Sequence, residues 1–77
     1  MIGYSLHYGS RSEPLAFVKL DTIYGSKGMF RIHWPNDEVS DMVNLSRARD
    51  AARLIARRRY PECDKSTLFK WIMRKSF

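Results

Sequence analysis

Apolar residues fall on every second position at the start of the chain: Ile2, Tyr4, Leu6 and Tyr8, with small or polar residues between. That period predicts a half-buried β-strand, because successive strand side chains point to opposite faces. "GSRSEP" (9–14) is turn material closed by Pro14. "LAFVKLDTIY" (15–24) is rich in β-branched and aromatic residues and predicts a second strand. "GSKG" (25–28) predicts a tight turn, since its two glycines reach positive φ at low cost. In "MFRIHW" (29–34), Phe30, Ile32 and Trp34 share one face of a third strand, and Met29, Arg31 and His33 share the other. "PNDE" (35–38) is a second turn, and a short fourth strand is expected near Val39 to Val43. Connections this short predict an antiparallel meander.

Beyond residue 45 the period changes. Asn44 or Ser46 can cap a helix by accepting a free backbone N–H. At 100° per residue from Arg47, Ala48, Ala51, Ala52 and Ile55 cluster on one side, flanked by Leu54 and Ala56. Arg49, Arg53 and Arg57 fall together on the opposite, solvent-facing side at i, i+4 and i+8. Pro61 stops this helix. A second helix is expected after Asp64 as its N-cap, with Leu68, Phe69, Ile72 and Met73 as its apolar stripe and Lys70 and Arg74 on its wet face. The predicted architecture is α+β: a small antiparallel β-meander of three to four strands followed by two helices packed on one face. It forms a single domain over residues 1–77, strand-rich over 1–45, helical and basic over 46–77.

Size and composition narrow the class. A chain of 77 residues buries only about 60% of the surface it exposes when unfolded, so its stability margin is thin and a homodimer stays open. With 44% hydrophobic and 29% charged residues, a globular fold is expected rather than disorder. No apolar run is long enough to span a bilayer. "TLFKWIMRKSF" (67–77) has the composition of a membrane-surface helix, but a small domain needs those apolar groups for its core, so no membrane partner is expected. The first residues lack the basic and apolar blocks of a signal peptide. Cys63 stands alone and forms no internal disulfide, which fits a cytoplasmic location.

Charge is distributed unevenly. Residues 1–45 carry four bases and five acids, whereas residues 46–77 carry ten bases and three acids. The net charge of +6 therefore comes entirely from the second half, which points to an anionic partner.

Catalysis finds little support. His7 and His33 lie in predicted strands without a carboxylate at helical spacing, and there is no nucleophile motif. A zinc site would need Cys63, both histidines and a fourth ligand, so no metal is expected. The acids of "PNDE" read as turn chemistry. Cys63 sits between Glu62 and Asp64, which raise a thiol pKa rather than activate it. "GSKG" lacks the spacing of a nucleotide-phosphate loop. The chain is read as a non-enzyme without a cofactor.

"KGMFRIHW" (27–34) partly resembles the sheet motif of RNA-recognition-motif domains, in which a Lys-Gly start leads into aromatics that stack on bases. Lys27, Gly28, Ile32 and loosely Trp34 match; Met29, Phe30 and Arg31 depart from it. The element order differs from that fold's helix–strand repeats, so the family is not assigned, and Phe30 and Trp34 are expected in the core. "LSRARDAARLIARR" (45–58) resembles the last helix of double-stranded-RNA-binding domains, and a sheet followed by such a helix is similar to the arm-binding domain of phage integrases. Both are likenesses of architecture alone.

The stretch "RARDAARLIARRR" (47–59) holds six arginines, no lysine and one acid, Asp50. Part of this is helix chemistry: Asp50 can pair with Arg47 and Arg53, and arginine offsets the negative dipole end in the last turn. An ordinary solvated face, however, mixes glutamate with lysine. The guanidinium fork suits phosphate or carboxylate recognition. The expected function is a small nucleic-acid-binding module, for DNA or RNA, that uses Arg47, Arg49, Arg53, Arg57 and Arg58 on phosphates, with Lys70 and Arg74 widening the patch. The alternative is a phage or mobile-element protein that binds an acidic host protein, inhibiting or regulating a host complex such as a defence system.

Overall fold

Alternation along the first strand becomes the spine of an antiparallel sheet. The computed structural model describes residues 2–21, 28–41 and 43–75. Its strands are β1 (Gly3–Tyr8), β2 (Ala16–Leu20), β3 (Met29–His33), β4 (Val43–Asn44) and β5 (Phe69–Arg74), in the order β4-β3-β2-β1-β5. One helix, α1 (Leu45–Arg59), and a single 3₁₀ turn (Ser66–Leu68) complete the described elements. Register sets the buried face. Leu6 lies opposite Ala16 and Trp71, Val18 lies opposite Tyr4 and Ile32, and Leu20 lies opposite Phe30. All of these share one face, since directly opposed residues point the same way.

Helix α1 lies on that face, against β2, β3 and β4. Ala48, Ala52 and Ala56 have no exposed surface, and they let the helix backbone approach Leu6, Val18, Phe30, Ile32 and Trp34 closely. Each large apolar group contributes about 1.5–3 kcal/mol when fully buried. Asn44 is the N-cap: its Oδ1 accepts the Arg47 N–H at 2.9 Å. The helix ends at Tyr60, whose N–H bonds the Ala56 carbonyl, just before Pro61. The 35–38 turn forms as expected, with Asp37 at φ 68° and a bridge from His33 to Val39. Most of the "GSKG" turn and the end of the predicted second strand lie outside the described residues; Gly28 takes φ 74°.

The second expected helix is not there. Ser66–Leu68 is one 3₁₀ turn without a side-chain cap, and Phe69–Arg74 is a strand. The sheet therefore has five strands with one helix on it. "FKWIMR" carries two periods at once. Phe69, Trp71 and Met73 alternate, while Leu68, Phe69, Ile72 and Met73 also suit a helix stripe. The outer edge of β1 decides between them. Its backbone N–H and C=O groups need partners, and β5 supplies six paired residues from Tyr8–Phe69 to Gly3–Arg74. Both edges of the final sheet are guarded against further pairing, β4 by its two-residue length and β5 by Lys70 and Arg74.

Candidate functional site

Helix α1 presents its arginines in three ways. Arg47, Arg53, Arg57 and Arg58 are exposed. Asp50 shares that wet arc and pairs with Arg53 at 2.7 Å. Arg49 departs from the solvent-facing expectation. It is half-buried, with its guanidinium 5.5 Å from the Tyr4 ring centre and 5.1 Å from that of Trp71. Arg59 lies 4.5 Å over Trp34 and pairs with Glu38. That bond and one from Asn36 hold the Glu38 carboxyl below its ordinary pKa. Arg49 and Arg59 thus cover aromatic rings by cation–π contact, and the other four stand exposed, Arg53 in its pair with Asp50.

Because α1 sits over β2–β4, it covers the β5 side of the same sheet face only in part. A cleft of about 320 Å³ runs there, lined by Asp50, Arg53, Leu54 and Arg57 from the helix, Ser66 from the 3₁₀ turn and Phe69 from β5. Leu54 is 53% exposed among the arginines. The cleft's helix wall mixes Arg53 and Arg57 with Asp50 and Leu54, and Phe69 lies opposite; no local pattern marks such a cleft when the residues after Asp64 are expected to form a covering helix.

Lys70 and Arg74 do not join this patch. Trp71 faces α1, so Lys70, Ile72 and Arg74 point to the opposite side of the sheet. Arg74 lies there against Phe17, 5.9 Å from its ring centre, and its Nε donates to Ser5 Oγ at 3.3 Å. The seven residues expected to form one site therefore divide, with five on α1 and two behind the sheet. Phe30 and Trp34 are buried in the core and offer no stacking surface.

The structure also brings Ser5 Oγ to 2.8 Å from His7 Nε2, a pairing that resembles a nucleophile and its base. Ser5 has no exposed surface, and its Oγ is shared with Arg74 and the Ile72 carbonyl. A substrate cannot reach it, and its bonds to Arg74 and the Ile72 carbonyl tie β1 to β5. Burial first, then the Arg74 charge, lowers the His7 pKa below 6.5. His33 is lowered by burial, then Lys19 and Arg31, with Asp21 opposing. Both imidazoles therefore bind protons less readily folded than unfolded. The stability of the neutral forms is full above about pH 6.5 and is lost as pH falls below it. The melting temperature is expected to drop between pH 7.5 and pH 5, and His7→Gln should flatten part of that drop. A melting temperature that is level over this range would refute the assignment.

Cys63 is buried, and among the described residues no three His, Cys, Asp or Glu side chains come together to hold a metal ion. Nor is any described helix long and apolar enough to cross a membrane. No protein-family model, curated protein or solved structure matches this chain.

Proposed function

We propose that this domain is a non-enzymatic nucleic-acid-binding module whose contact surface is the exposed arc of α1. The observation that carries the reading is the composition of that arc: Arg47, Arg53, Arg57 and Arg58 stand against a single acid, Asp50, already paired with Arg53. Arg53 and Arg57 lie one turn apart, about 6 Å along the axis, close to the spacing of successive phosphates on a strand. Guanidinium groups bind phosphate oxygens by charge-assisted, often bidentate, hydrogen bonds. Such contacts position a protein on DNA or RNA without reading its sequence.

A salt series tests this directly. Four phosphate contacts release about 0.9 counterion each from a duplex, so log affinity against log salt is expected to have a slope of about −3.6. Fluorescence anisotropy of a labelled 20-base-pair duplex measures it. Absence of binding at low salt would overturn the reading. The exposed Leu54 beside the cleft would then favour an acidic protein partner, with the arginines pairing its carboxylates around an apolar contact.

A further inference from the structure

The cleft between α1 and β5 is a feature that phosphate contacts alone leave unused. Asp50, Arg53, Leu54 and Arg57 stand at i, i+3, i+4 and i+7, so one stripe of the helix forms its wall over about two turns. Phe69 of β5 lies opposite, and Ser66 of the 3₁₀ turn completes the lining. Two of these side chains are apolar and reach solvent: Leu54 is 53% exposed, and Phe69 is half-buried. The β5 side of the cleft is fixed before any ligand arrives. The Tyr8 ring meets Phe69 edge-on at 5.0 Å, the Tyr8 hydroxyl accepts the Lys65 N–H at 3.0 Å, and the Gly9 N–H bonds the Leu68 carbonyl at 2.9 Å. A slot held in this way loses little conformational freedom on binding.

We propose that the cleft receives one unpaired base, so that the module favours nucleic acid with a bulged nucleotide over a continuous duplex; this rests on the α1 reading. Charge places the strand. Arg57 and Arg58 stand one turn beyond Leu54, exposed and without an ion pair among the described residues. They take the phosphates beside the bulge, and the base turns inward between Leu54 and Phe69. Size limits the occupant. At about 320 Å³ the cleft is at the small end of ligand sites, which run from roughly 300 to 1,000 Å³. It suits one flat ring system rather than a partner's helix. The lining argues for a base over an acidic peptide. Leu54 and Phe69 offer apolar surface to a ring. The Asp50 carboxylate, bonded by Arg53 through Oδ1, can still accept the ring or amino N–H of a base, whereas it repels a peptide carboxylate. A duplex base must give up stacking and pairing to enter, and a bulged base has already lost its pair.

The test uses the full chain and three labelled DNAs: the 20-base-pair duplex, the same duplex with one extra adenine at its centre, and that bulge with an abasic residue in place of the adenine. The adenine bulge is expected to bind about five- to a hundred-fold more tightly than either of the others, the range of one base stacked on an aromatic ring. Phe69→Leu removes the ring and should remove most of that margin. In the unmodified protein, NMR amide shifts at Leu54, Ser66 and Phe69 should be larger with the adenine bulge than with the abasic one. Equal affinity for the two bulges would mean that only the bend in the backbone matters, and it overturns the proposal. So do shifts at these three residues that are the same for both bulges, or a folded Phe69→Leu that keeps the full margin. If all three DNAs bind alike, this inference falls and the α1 reading stands. If none binds at low salt, the α1 reading falls and takes this inference with it. The two-bulge comparison and the NMR map need no variant, so neither depends on whether Phe69→Leu folds.

Discussion

Ala52→Glu is expected to abolish the cooperative thermal transition. Ala52 has no exposed surface and lies between α1 and the sheet, in the cluster with Leu6, Val18 and Ile32. A carboxylate there loses its hydration and finds no cation, a cost of several kcal/mol, and its extra length also overpacks the interface. Domains of this size are stable by only about 4–12 kcal/mol, at roughly 0.05–0.15 kcal/mol per residue. Circular dichroism and tryptophan fluorescence on heating would show a broad, sloping signal in place of a sigmoid. Arg57→Gln, on the wet arc, should stay within about 0.5 kcal/mol of the parent. If Ala52→Glu melted within a few degrees of the parent, the alanine face would not be the face that packs.

Arg53→Gln, Arg57→Gln and Arg58→Gln together are expected to lower duplex affinity about 500-fold at about 0.1 M salt, because each lost phosphate contact removes about 0.9 log unit there. The salt slope should become shallower by about 2.7. The fold should survive, since these residues are exposed and the Arg53–Asp50 pair is a surface pair of small worth. Arg49→Gln should behave in the contrary manner. It uncovers the Tyr4 and Trp71 rings and so shifts the melting temperature more than the slope. A loss of less than about ten-fold from the triple substitution, with normal melting, would remove α1 from the interface.

Where the determinant is local, sequence pattern and fold agree. The alternation of Tyr4, Leu6 and Tyr8, the two faces of residues 29–34, the 35–38 turn, the alanine face of α1 and its end before Pro61 all formed as the pattern required. Asn44 and Ser46 were both eligible caps, and the structure uses Asn44. Each of these depends on a few neighbouring residues, whose spacing or backbone preference is written in the chain.

The site was less legible, because its parts depend on what lies beside them. Arg49, Arg53 and Arg57 share a helix face by spacing, but α1 is set to one side of the sheet, over β2–β4. That offset lowers Arg49 onto Tyr4 and Trp71 and leaves Arg53 and Arg57 at the rim of a cleft. The sequence by itself determined the α+β class, a strand-rich first half, an arginine-rich helix and a strongly basic second half. Only the tertiary structure decided that Phe69–Arg74 is a strand, since its residues satisfy both periods and the unpaired edge of β1, more than sixty positions away, selects one. That selection flips Lys70 and Arg74 to the far side of the sheet. There they join Lys19 and Arg31 through hydrogen-bond register, a relation between distant strands that no local spacing encodes.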